Sequence, residues 1–573
     1  MFKEYFKILV RHYCSRQFPD SSYDAIIIGG GHNGLVAAAY LAKNGVRTCV
    51  LEKRHIVGGA AVTEEIIPGF KFSRASYLLS LLRPEIYEDL ELKKFGLKYY
   101  LRNPSSYTPL RKSAWTSTAK SLTLGMDPQF NYKEISKFSE ADAKQYFKFL
   151  EKLQEFADCI EPLMDVSPNT LKLLCEKDIS TWTKLKIIRE SKSVQNVLKG
   201  VLNLMSCFPF AYEVMCTPAL GIMNKWFTVE PLKATILTDA CIGTFQSPAV
   251  IGSSYILLHN VTGGVDQKKG AWAYVEGGMG ALSTTIKKCA THHGAHIYTD
   301  QAVEKIQLDD LGNAIGVLTE DKNFIRSAVV LSNATPKITF LNLLPTEALD
   351  AKFKSQIQST NYDSPVTKIN VALNNILNFE ADPNTSPGQL MPHHQCTIHL
   401  NCESVDDILS AHAEGSAGVF PKRPLMELTI PSSLDPTLCS SGKHVCLIFS
   451  QYTKYNLKNG REWNDETKKE YADLVFNCVE AYAPGFKDSI IGYEVLPPPE
   501  LERIFGLTGG NIYHGEPSLD QLLFNRPVNW NPMSPYTPIK GLFLCGSGAH
   551  PGGGVTGSPG RLAALSVLDE LKK

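Results

Sequence analysis

The segment from Asp24 to Glu52 constrains the fold more than any other part of the chain. Asp24 to Ile28 (DAIII) is an apolar, β-branched run with the length of a buried parallel strand. Gly29-Gly30-Gly31-His32-Asn33-Gly34 follows at once and supplies G-x-G-x-x-G at Gly29, Gly31 and Gly34. Leu35, Ala38, Ala39 and Ala42 then recur at i, i+3, i+4 and i+7, which predicts a helix with one packed face. Gly45 stands where a left-handed cap would end that helix. Arg47 to Leu51 read as a second strand, with Glu52 at its end. Two strands joined through a helix in so short a stretch predict a parallel pair with a crossover.

Each part of this unit has a mechanical role. Gly29 permits the tight turn, Gly31 lets a pyrophosphate approach the backbone, and Gly34 lets the helix sit close on the sheet. Ile28, Gly30, His32 and Asn33 complete the turn, where the unpaired N–H groups of the helix start favour phosphate. Glu52 can accept two hydrogen bonds from the ribose hydroxyls of an adenosine and would repel a 2′-phosphate; Lys53 adjoins it. The unit therefore predicts a Rossmann-like dinucleotide-binding domain. A second glycine doublet, Gly58-Gly59 before Ala60, allows another close approach, to the far half of a longer cofactor.

A glycine doublet placed after the ribose acid resembles the flavin-dependent oxidoreductases of the phytoene desaturase and amine oxidase superfamily. Their doublet usually continues with an arginine, where Ala60 stands here. The resemblance extends to Gly541–Gly560, which reads as a strand, a glycine loop and a helix through Leu571. It implies that Gly546, Ser547 and Gly557 lie against the flavin ring and ribitol, with Ser547 replacing an aspartate common in flavoproteins. A third block runs from Gly277-Gly278-Met279-Gly280 through a helix from Ala281 to strands near 294–299, 303–306 and 329–334. There the resemblance places the backbone of Val303 against the adenine. The implied cofactor is FAD, and the implied fold is α/β: an FAD-binding Rossmann-like domain of the glutathione-reductase type with an inserted α+β substrate domain. The FAD domain is expected in three pieces, 22–100, 265–335 and 536–573, and the substrate domain in 101–264 and 336–535. Alternation from Val366 to Ala372 predicts a strand of an antiparallel sheet there.

The resemblance further implies an enzyme, an FAD-dependent oxidoreductase of desaturase or oxidase type that passes a hydride to flavin. Its substrate is expected to be a small apolar or amine-bearing molecule. The alternative is a non-catalytic flavin-fold protein that regulates mitochondrial function through a protein partner. His550, inside the glycine loop, is the first candidate for a hydrogen-bond donor or proton relay at the ring; satisfying loop carbonyls is its blander role. His514, beside Tyr513, is the second candidate. His393, His394 and His399 lack a carboxylate or cysteine at a convincing ligand spacing, so they read as structural and no metal is expected. Cys545 reads as a buried strand thiol.

The 14 cysteines are dispersed, with no CxxC, which argues for a reducing compartment and against both structural zinc and thiol–disulfide chemistry. With 58 basic and 58 acidic residues there is no global charge to attract nucleic acid. The apolar stretch Ala25 to Val46 is broken by Gly29–Gly31, His32 and Asn33, so no transmembrane segment is expected, while peripheral membrane contact stays open. At the N-terminus Phe2, Phe6, Leu9 and Tyr13 share one helical face beside Lys3, Lys7 and Arg11, and Glu4 is the only acid before Asp20. Residues 1–21 thus resemble a mitochondrial presequence and predict a matrix location; a helix packed on the first domain is the alternative. The stretches Thr63–Phe70, Pro231–Ala234, Ser364–Val371, Leu501–Gly506 and Gly510–Gly515 resemble an animal branch of the superfamily regarded as mitochondrial.

Overall fold

The computed structural model describes residues 21–572 apart from 167–169, 171–173, 175, 267, 523–524, 529 and 532. Apart from Ser21, the segment read as a presequence lies outside the described residues.

The Asp24–Glu52 unit folds as β1 (Ala25–Ile28), α1 (His32–Lys43) and β2 (Thr48–Leu51). Later segments add α2 (Met279–His292), β3 (His296–Tyr298), β4 (Val330–Ser332), β5 (Leu542–Leu544) and α3 (Ser558–Leu571). The five strands form one parallel sheet in the order β3-β2-β1-β4-β5. Alternation in β1 sends Ala25 and Ile27 to the helical face, while Ile26 and Ile28 meet an antiparallel meander of Val303–Leu308, Ala314–Thr319 and Phe324–Arg326 on the other. Each fully buried isoleucine of this strand contributes about 1.5–3 kcal/mol.

The helix α1 departs from the one-faced expectation. Residues His32 through Ala42 are all buried, because α2 and α3 both pack on it as well as the sheet. Two glycines make this closeness possible: a Cβ at Gly34 would stand 2.3 Å from Gly29 O, and one at Gly560 would stand 2.0 Å from Asn33 O.

A second sheet has seven strands, in the order Ile490–Leu496, Thr367–Leu373, His444–Gln451, Leu425–Thr429, Thr397–Leu400, Ser106–Pro109 and Ser121–Leu124. Thr367–Leu373 pairs antiparallel with both neighbours, as its alternation predicts. One face of this sheet, through Ile369, Val371, Met426, Leu428 and Ile448, packs on helix Asp465–Glu480. Beside it lies a helical layer that includes Glu140–Ile160, Lys192–Cys216 and Glu230–Cys241. Among the described residues no helix is long and apolar enough to cross a membrane, and no cluster of His, Cys, Asp and Glu could hold a metal.

Candidate active site

The glycine turn after β1 is built as a cradle. Gly29 has φ +93°, and a parallel bridge pairs Gly31 with Gly58, supported by Gly58 N donating to Gly30 O at 2.8 Å. Glu52 is buried at the end of β2, where Oε2 accepts from Gly30 N and Oε1 from Arg54 N, both at 2.8 Å. Each carboxylate oxygen keeps a further lone pair for a ribose hydroxyl. The loop before Val303 lies alongside, since Gln301 N donates to Glu52 O at 2.9 Å. Val303 opens the meander, half-buried, and Lys53 is exposed. His32 Nε2, Asn33 Oδ1 and Gln301 Oε1 are buried polar atoms with no hydrogen-bond partner in the chain. Such orphans are costly unless a ligand or water meets them, and they ring the place a dinucleotide would occupy.

Some expected cradle glycines serve the protein's own packing. At Gly31 a Cβ would stand 2.8 Å from Asn333 Nδ2, at Gly546 2.8 Å from Asn333 O, and at Gly557 2.4 Å from Ile86 Cδ1. Gly557 takes φ +73° as the residue before α3, with its missing side chain filled by Ile86, Leu82 and Val36. Ser547 Oγ accepts from Asn33 Nδ2 at 3.1 Å, which ties the C-terminal loop to the start of α1.

A cavity of about 900 Å³ opens between this loop region and the seven-stranded sheet. His32, Ala60, Ser547 and Gly554 line its side toward the Rossmann-like domain. Its opposite wall is a row of four residues on four adjacent strands: Lys368 pairs with Phe449, Phe449 with Glu427, and Glu427 with His399. These residues occupy the alternate face from Ile369, Ile448, Leu428 and Ile398, which pack on the helix behind. Helix Glu140–Ile160 closes an apolar arm with Phe149, Leu150 and Leu153.

The row is electrostatically unusual. Burial raises the Glu427 carboxyl to about 8 despite hydrogen bonding from Tyr77 and the nearby Lys368 and Arg102 charges. Burial likewise lowers the Lys368 ammonium to about 7. Lys368 Nζ has no hydrogen-bond partner and lies 4.1 Å from the Tyr77 ring centroid, while Tyr77 OH donates to Glu427 Oε2 at 3.2 Å. His399, His514 and His32 are driven below the ordinary imidazole range by burial, to about 3, 3 and 4, and so are neutral near pH 7.

His514 lines the cavity in a left-handed backbone conformation (φ +57°) with Nδ1 unpartnered. His550, the first candidate, keeps Nδ1 buried and without a hydrogen-bond partner. It is buried with Nε2 at 3.0 Å from Leu163 O and does not line the cavity, because the glycine loop turns it toward the helical layer. The triple-histidine reading also divides. His393 stacks on Tyr107 at 4.7 Å and His394 Nε2 meets Leu377 O at 2.9 Å, both structural, whereas His399 faces the cavity. Lys368, Glu427 and Arg102 belong to no motif and escape a reading of the sequence; the available signal is one ionisable residue inside an otherwise apolar strand, as in Leu425-Met-Glu-Leu-Thr429.

Residues 27–91 match the model of the NAD(P)-binding Rossmann-like domain. Over 552 residues the chain is 51% identical to pyridine nucleotide-disulfide oxidoreductase domain-containing protein 2 of Rattus norvegicus, covering 96% of this chain and 94% of the rat protein. The chain belongs to that family. Members of the pyridine nucleotide-disulfide oxidoreductase domain-containing protein 2 family have more distant relatives. Among them is a limonene dehydrogenase component of Castellaniella defragrans, which is 26% identical to this chain over 96% of it and 95% of the relative. The solved structure of cyclohexylamine oxidase from Brevibacterium oxydans shares the fold at TM-score 0.55 and 13% identity, over 96% of this chain and 100% of that one. The chain thus carries a dinucleotide-binding Rossmann domain within a family named for an oxidoreductase domain, and it shares its overall fold with a solved amine oxidase.

Proposed function

We propose that the protein is an FAD-dependent oxidoreductase that takes a hydride from a small, mostly apolar molecule bearing one polar group. The observation that carries this reading is the facing of two walls across one cavity: the cofactor-side residues His32, Ala60 and Ser547 against Lys368, Phe449 and Glu427. The residues fit FAD, since Glu52 has lone pairs for a ribose and the orphaned His32 Nε2 and Asn33 Oδ1 sit at the turn where a pyrophosphate would lie. Bound FAD supplies a two-electron acceptor; the chain supplies everything else. Phe149, Leu150 and Leu153 would hold an apolar substrate body and exclude water. Lys368 Nζ, held near the neutral form and without a hydrogen-bond partner, would accept the proton that the substrate loses. Glu427, kept protonated by burial, would donate a hydrogen bond to the substrate's polar group. Names of relatives support both halves of this substrate class, limonene for the apolar body and cyclohexylamine for an apolar amine. The reading is tested by anaerobic mixing of the FAD-loaded protein with such compounds. Bleaching of the flavin band by one of them, lost in Lys368→Met, supports it; bleaching unaffected by that change refutes the assigned role. A non-catalytic regulator would give no reason for a buried lysine without a hydrogen-bond partner in the cavity wall.

We place the protein in the mitochondrial matrix on the basic, nearly acid-free amphipathic start of the chain. A peripheral membrane contact is assigned to helices Thr181–Glu190 and Lys192–Cys216. Leu202, Met205, Phe208 and Tyr212 are exposed along one helix, and Trp182 is 82% exposed on the other. Lys186, Arg189, Lys192 and Lys199 flank them, so the face suits an anionic bilayer.

A further inference from the structure

Two cysteines 48 residues apart meet between helices. Cys159 lies in the last turn of Glu140–Ile160 and Cys207 within Lys192–Cys216, with 3.6 Å between their Sγ atoms. The absence of CxxC therefore does not exclude a dithiol here, because helix packing supplies the proximity that sequence spacing lacks. Glycine builds the approach: a Cβ on Gly200, two turns before Cys207, would stand 2.5 Å from Cys159 O. The remaining polar contacts of both thiols are to carbonyls of their own helices, Glu155 O at 3.1 Å and Leu204 O at 3.8 Å. A disulfide spans about 2.05 Å, so closure asks the two side chains for a combined movement of about 1.5 Å.

We propose that Cys159 and Cys207 form a redox modification site that closes to an intrachain disulfide under hydrogen peroxide. One sulfur, as thiolate, attacks a peroxide oxygen; the O–O bond breaks, water leaves and a sulfenic acid remains. The second sulfur attacks the first, the S–O bond breaks and a second water leaves. Two thiols lose two electrons and two protons, and one peroxide becomes two waters. Burial leaves little thiolate, since it pushes the Cys159 thiol up to about 12, so the bond accumulates under sustained peroxide rather than in a burst.

The bond would act where the chain grips its C-terminal loop. The turn directly after Cys159 holds Arg83 through Glu161 and Asp165, both at 2.8 Å, and Leu163 O holds His550 at 3.0 Å. Asp165 O also accepts from Arg561 Nη1 of α3 at 3.0 Å. Oxidation therefore fastens the apolar-faced helix Lys192–Cys216 to the turn that clasps the glycine loop.

The test is peptide mapping of the full-length protein after peroxide treatment and alkylation, without reduction. The expected result is a Cys159 peptide linked to a Cys207 peptide, reversed by dithiothreitol and lost in Cys159→Ser and in Cys207→Ser. Wild type, and neither variant, should also gain several degrees in Tm on oxidation. Recovery of both cysteines alkylated after peroxide, or a bridge from either to another cysteine, overturns the proposal. The wild-type map decides the matter even where a serine variant fails to fold.

Discussion

Lys368 and Glu427 are linked through one phenol: the Lys368 ammonium sits over the Tyr77 ring, 4.1 Å from its centroid, and the Tyr77 hydroxyl donates to Glu427 Oε2 at 3.2 Å. Phe449 separates the two residues in the strand register, so they share a wall without forming an ion pair. Burial moves both toward their neutral forms, which suits a site handling one proton beside an apolar substrate.

A pH dependence of stability follows. Glu427 is raised from 4.5 to about 8, so the stability tied to its protonated form is complete below pH 4.5 and is lost as pH rises through about 8. Lys368 is lowered from 10.5 to about 7, so its contribution is complete above 10.5 and is lost as pH falls through about 7. Glu427→Gln removes the first effect alone. Thermal melts across this range should show the variant gaining on wild type as pH rises, by about 4 kcal/mol near pH 8. Parallel curves would show that Glu427 titrates normally.

Removing the carboxylate at the end of β2 should loosen the cofactor. Glu52→Ala deletes the acceptor offered to the ribose and also frees Gly30 N and Arg54 N. FAD titration followed by fluorescence should show weakening of about 1.5–3 kcal/mol, roughly 10- to 100-fold. Undiminished affinity would remove Glu52 from the binding site.

The two candidate histidines should separate by phenotype. His514→Ala, in the cavity wall, removes a neutral polar group with an unpartnered Nδ1 and should slow flavin reduction by about 10-fold with FAD still bound. His550→Ala breaks the contact to Leu163 O and should lower Tm while changing the reduction rate only a few-fold. Stopped-flow reduction and melting curves on both variants give the answer, and the opposite assignment would return His550 to the ring.

Membrane contact should depend on both grease and charge. Wild type should co-sediment with vesicles containing anionic lipid more than with neutral ones, less so as salt is raised. Met205→Glu with Phe208→Glu should abolish sedimentation without lowering Tm, because both side chains are exposed. Equal binding by the double variant would place the contact elsewhere.

What is legible in the sequence is what is local in it. The β1–α1–β2 unit needs only consecutive residues, and its glycines, apolar periodicity and terminal Glu52 are all within one stretch. The cavity wall is the reverse case. Lys368, His399, Glu427 and Phe449 come from four strands, and only the hydrogen-bond register aligns them. The contact of His550 with Leu163 O is equally hidden, because glycine neighbours mark a close approach of backbone without saying which way a side chain turns. Cys159 and Cys207 are hidden for the same reason as the wall, since packing of two helices brings them together.

The most direct measurement is identification of the nucleotide released when the protein, purified without added cofactor, is denatured. FAD is the expected product, non-covalently bound near one per chain, with a flavin band in the native protein that bleaches with dithionite. Release of a nicotinamide dinucleotide in place of FAD, or a protein that neither carries flavin nor binds it when FAD is added, would contradict the assignment.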